Sequence, residues 1–87
     1  MPRGDPGRLA GTMRLTELHQ DLSELRSDLA AELEAINRLE SGTFSLHDEG
    51  AREEVRRIAD EKKAHAAALL KQIERLDPKF GERVRGS

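Results

Sequence analysis

Leucines at positions 15, 18, 22, 25 and 29 alternate steps of three and four residues, the spacing that lines side chains along one stripe of a helix. Continued at that spacing, the stripe passes through position 32 and reaches Ile36 and Leu39. A second stripe opens at Val55 and Ile58 and runs through positions 62 and 65 to Leu69, Ile73 and Leu76. Two amphipathic helices are the fold such a chain must build on. Three positions break the apolar rule: Glu32 on the first stripe, Lys62 and His65 on the second. Burying a carboxylate, an ammonium or an imidazole is costly unless the group is paired or holds a metal. An anion, a cation and an imidazole thus stand where hydrocarbon is expected.

The punctuation of the chain divides it simply. Residues 1–11 hold Pro2, Pro6 and three glycines, and the composition reads as a flexible arm. Thr12 or Thr16 can cap a helix, and nothing interrupts the pattern until Ser41-Gly42, so the first helix is expected over 12–40. A loop follows over 41–47, with His47 supporting it just before Asp48, a good N-cap. The second helix is expected over 48–76, stopped by Asp77-Pro78. Residues 79–87 read as a short turn or helix anchored by Phe80 and Val84, then a loose tail.

Two long helices joined by a short loop form an antiparallel hairpin spanning 12–78. Its stripes are wider than one partner helix can cover: Ala30, Leu33 and Ala35 flank the first, and Ala59, Ala66 and Leu70 widen the second. A chain of 87 residues buries only a modest share of its surface alone. The expected fold class is therefore all-α, a helical hairpin that completes a four-helix bundle by dimerisation. Other classes lack support. The net charge is −2, tyrosine and tryptophan are absent, and Phe44 and Phe80 are the sole aromatics, unlike a nucleic-acid binder with its basic face and stacking rings. No apolar run is long enough for a membrane span or a signal peptide, so a cytoplasmic protein is expected. Cysteine is absent, which removes disulfides and thiolate metal sites. No hydroxyl or lysine stands in a nucleophile–base arrangement, and His19 reads as a surface or partner-edge histidine.

The polar seam admits two readings. Glu32 and Lys62 can form a half-buried ion pair that fixes register, with His65 a satisfied core histidine. Alternatively, carboxylates and imidazoles on facing helices can hold a metal inside a bundle. Glu61 lies one turn before His65, and Glu34 flanks the first stripe.

The segment Ala31-Glu32-Leu33-Glu34-Ala35-Ile36-Asn37, followed by Asp60-Glu61-Lys62-Lys63-Ala64-His65 and then Arg75-Leu76-Asp77-Pro78, resembles the encapsulated ferritins. These are short two-helix, ferritin-like proteins carried as encapsulin cargo, and the resemblance covers about residues 16–84. It implies a ferritin-like dimer, assembly into a larger ring, and ferrous iron oxidised at the dimer interface for storage or detoxification. By the same resemblance Glu32 and His65 are the iron ligands and the working pair of a ferroxidase, and Glu34 and Glu61 belong to an outer metal site. The family's bridging glutamate corresponds to Lys62, the acidic partner of Glu34 to Ala31, and a tyrosine near the iron to Leu39. A lysine there supplies positive charge in place of a bridging carboxylate. Either Lys62 reaches out of the seam and Glu32, Glu61 and His65 keep the metal, or Glu32, Lys62 and His65 of two chains close a metal-free polar network that serves assembly or partner binding. The resemblance also implies an encapsulin shell as partner, although residues 83–87 lack the Gly-Ser-Leu core of a loading peptide.

Overall fold

The computed structural model describes residues 6–86, and side chains from Arg14 to Arg83. Three helices follow one another: α1 over Pro6–Thr43, α2 over Glu49–Leu76 and α3 over Pro78–Gly86. There is no strand among the described residues. The long helices α1 and α2 pack against each other as a hairpin, and α3 packs on α2. The first helix begins earlier than the sequence suggests: residues 6–11, expected within a flexible arm, are helical, and residues 1–5 lie outside the described residues. Proline is tolerated in a first helical turn because its missing N–H has no partner to lose there, so Pro6 starts α1 instead of preventing it.

Each boundary has a local cause. The N–H groups of Phe44, Ser45 and Leu46 donate to the carbonyls of Ser41, Gly42 and Thr43, so the last turn of α1 winds into the loop with its acceptors occupied. Asp48 is extended (φ −74°, ψ 126°), and its carboxylate accepts from the Ala51 N–H at 2.8 Å, capping α2. At the other end Asp77 does three things. Its N–H donates to the Ile73 carbonyl at 2.7 Å, its Oδ1 accepts from the Phe80 N–H at 3.3 Å, and its Oδ2 pairs with Arg26 of α1 at 3.3 Å. One aspartate ends α2, caps α3 and ties the corner to α1.

Buried hydrophobic residues fall at Leu22 and Ile36 on α1 and at Ala59, Ala66 and Ile73 on α2. Successive members stand seven or fourteen residues apart, the repeat of helices wound in a left-handed pair. The alanines let the two backbones approach closely. The second contact line therefore runs through Ala59 and Ala66, which the sequence reading had placed at its flank, and His65 sits at the edge.

The chain is elongated: its extents are 74 × 28 × 14 Å, against about 42 Å for α2, and the shortest is little more than one helix diameter. The radius of gyration is 19.6 Å, against about 12 Å for a compact domain of this length. The chain exposes 7048 Å², whereas folded monomers of its mass expose roughly 5,100 Å².

Candidate functional site

The ion pairs across the hairpin sort its surface into two edges. Glu32 and Glu40 stand four residues before and after buried Ile36, which puts them about 40° to either side of it. Lys62 and Lys63 likewise straddle the line through Ala66. The pairing follows: Lys63 Nζ reaches Glu40 Oε1 at 3.1 Å on one edge, which also carries Arg26–Asp77. Lys62 Nζ reaches Glu32 Oε1 at 3.5 Å on the other, where His65 Nδ1 stands 3.8 Å from Glu32 Oε2.

The two edges differ in their apolar content. By helical position the Glu32 edge carries Leu18, Leu25 and Leu39 from α1 and Ile58, Leu69 and Leu76 from α2, all half-buried. The Glu40 edge is richer in charge, with Leu33 and Leu70 among its apolar members. A carboxylate, an ammonium and an imidazole therefore lie in the middle of a leucine-rich strip that only one layer of helices covers.

Within that strip Glu32 is the most enclosed of the three, its side chain 21% exposed against 62% for His65. The sequence places His65 on a buried stripe; in the single chain it is largely open, because position 65 sits beside the Ala66 contact line. Glu32 Oε2 is buried and has no hydrogen-bond partner, since 3.8 Å is too long for one to His65. A buried acceptor left unpaired costs about 1–3 kcal/mol.

The remaining expected ligands are turned elsewhere. Glu34 lies on the outer face of α1, exposed, its carboxylate 3.9 Å from Arg38. Glu61 does stand one turn from His65, yet its carboxylate is held by Arg57. Arg57 also donates from Nε to Glu54 at 3.1 Å. That hydrogen bond and the Arg57 charge hold the Glu54 carboxyl below its ordinary range, and the same bond with the negative charges of Glu54 and Glu61 pushes the Arg57 guanidinium up. On the opposite edge, the hydrogen bond to Glu40 pushes Lys63 up. Among the described residues no group of three or more His, Cys, Asp or Glu side chains gathers as a metal centre. One chain brings two donors together, Glu32 and His65, and its third neighbour is the cation Lys62. The alternation of acidic and basic residues over 52–63 reads in the sequence as a solvated face with helix-stabilising pairs, and Arg57 makes two of them.

His19 lies in a cleft at the α2–α3 corner with Leu18, Leu22, Arg26, Leu76 and Lys79, far from Glu32 along the chain. No helix among the described residues is long and apolar enough to cross a membrane. No protein-family model, curated protein or solved structure matches the chain.

Proposed function

We propose that this chain works by self-association: two hairpins pair through the Glu32 edge into a ferritin-like four-helix bundle, with a Glu32–Lys62–His65 network from each copy at its centre. The observation carrying the reading is the Lys62–Glu32 pair at 3.5 Å, set in an uncovered strip of leucines. Coverage supports it: Leu18, Leu25, Leu39, Ile58, Leu69 and Leu76 remain half-buried along that edge with no second layer of helices over them. Position supports it as well. Lys62 and His65 lie at the middle of α2, so a two-fold axis perpendicular to the helices at that height brings both networks together. Each Glu32 Oε2 then faces donors from the other copy, and two carboxylates, two ammonium groups and two imidazoles close on themselves without a metal. The role is assembly or the presentation of a partner-binding surface.

A second reading keeps the metal, and the unpartnered Glu32 Oε2 favours it. Two Glu32 and two His65 across the same axis form a mixed oxygen and nitrogen donor set suited to ferrous iron or a similar divalent ion. Iron would be the substrate of a ferroxidase serving storage or detoxification, in a dimer or a larger ring. Lys62 opposes this, because each copy would bring an ammonium beside the carboxylate that must neutralise the ion.

Metal stoichiometry on protein of known native mass separates the two. The network reading expects a dimer that survives chelator, near-zero iron after anaerobic ferrous loading and desalting, and iron binding gained in Lys62→Glu. About one metal per two chains, retained by the parent and lost in His65→Ala, would overturn it in favour of the metal site.

A further inference from the structure

Two grooves open where the hairpin meets α3, and they differ in charge. On the Glu32 edge, Asp21 and Glu24 outnumber Arg75 around a groove with Leu25. Glu17 and Asp28 extend that row at steps of four, three and four residues, which keeps the four carboxylates on one side of α1. His19 and Arg26, seven residues apart, stand on the far side of the same helix and line the cleft at the α2–α3 corner. α1 thus separates its charges across the end of the hairpin, and the corner cleft is the side that attracts an anion.

The cleft has the build of a small-molecule site. It is open because α3 packs on α2 alone: among the described residues no Cα of α3 comes within 8 Å of α1. Its volume is about 540 Å³, inside the range of about 300–1,000 Å³ common to such sites. Leu18 and Leu22 of α1, with Leu76 and Pro78 of the corner, form an apolar wall. Arg26, Lys79 and His19 supply the polar groups, against one carboxylate, Asp77. Arg26 gives one nitrogen to Asp77 at 3.3 Å, and a guanidinium carries five N–H donors, so most of its fork is unspent. Lys79 and His19 have no ion-pair or hydrogen-bond partner among the described residues.

We infer that this cleft binds an anionic amphiphile, one alkyl chain with a carboxylate or phosphate head. The chain lies on the leucines and Pro78, and the head meets Arg26 and Lys79 with His19 as a further donor. Guanidinium suits such a head because its paired N–H groups match two oxygens of the anion. A small polar anion would leave the apolar wall wet, and an uncharged apolar guest would leave the cations unanswered. The inference goes beyond the self-association proposed above and does not rest on it.

The test titrates the full chain with decanoate below its micelle-forming concentration, by calorimetry and by amide shifts on isotope-labelled protein. One molecule per chain is expected, with shifts at 18–26 and 76–80. Decanol keeps the tail and lacks the charge, and should bind at least about tenfold more weakly. Lys79→Gln, at an exposed side chain, should weaken decanoate about fivefold with helicity unchanged, while Lys71→Gln, exposed elsewhere on α2, should not move it. Equal affinities for decanol and decanoate, an unchanged constant in Lys79→Gln, shifts confined to the leucines of the Glu32 edge, or no saturable binding would each overturn the proposal. Phosphatidylglycerol vesicles separate the two sources of such a head. Decanoate binding without vesicle binding assigns the cleft to a free fatty acid; vesicle binding that shifts the same amides and weakens in Lys79→Gln assigns it to a phospholipid.

Discussion

Replacing Lys62 by methionine removes the cation and keeps the stem, leaving Glu32 charged and half-enclosed without its partner. At 3.5 Å and an effective dielectric near 20, the Coulomb attraction alone is about 5 kcal/mol. Most of that is offset by desolvating both groups and ordering two long side chains. Side-chain exposures of 35% for Lys62 and 21% for Glu32 place the pair between a surface bridge, worth up to about 1 kcal/mol, and a buried one, whose breaking costs about 3–5 kcal/mol. Lys62→Met should therefore destabilise the folded protein by about 1–2 kcal/mol, roughly 5–15 °C in Tm for a domain of this size. Adding Glu32→Leu to Lys62→Met should recover the loss, since an apolar pair leaves no charge stranded. The assay is urea and thermal unfolding of the parent, both single variants and the double variant at one fixed protein concentration, because self-association makes Tm concentration-dependent. A coupling of zero in that cycle, with Lys62→Met as stable as the parent, would refute the claim that Lys62 neutralises Glu32 in a desolvated seam.

Three further outcomes follow from the geometry. Ile73 is 1% exposed, so Ile73→Ala should cost about 2–5 kcal/mol and loosen α2 from α1; a loss below 1 kcal/mol by urea unfolding would contradict its central place in the contact line. Asp48→Ala removes the 2.8 Å cap on the Ala51 N–H and should cost about 1 kcal/mol, with faster amide exchange confined to the first turn of α2; uniform exchange along α2 would count against it. The Lys63 value is raised in the folded chain by its bond to Glu40, so this bridge stabilises fully below lysine's ordinary range and its contribution is lost as pH rises through the raised value. On alkaline titration the parent should lose more stability than Glu40→Gln, and equal losses would show that the bridge carries none.

How far the sequence foretold the structure depended on whether a feature was local. The stripes of leucine and isoleucine placed both long helices, and Asp48 and Asp77-Pro78 marked α2 because capping and proline chemistry act within a few residues. The Glu32–Lys62 pair was legible too, as the two interruptions that an antiparallel register brings level. Pro6 misled, because proline reads as a breaker in general and is a starter in a first helical turn. His65 misled for a finer reason. A step of one residue turns a side chain about 100°, and Ala66, small and easily discounted, is the residue that faces α1. Glu34 and Glu61 were grouped with the site by helical spacing and by the family resemblance, whereas in the single chain their carboxylates lie beside Arg38 and Arg57 on their own helices.

Sedimentation equilibrium of the full chain, with and without chelator and across a range of protein concentrations, tests the central claim most directly. The proposed pairing through the Glu32 edge predicts a mass of twice the 9.7 kDa chain, or an even multiple of it, unaffected by chelator. A fully helical protein that stays at the single-chain mass throughout would contradict it.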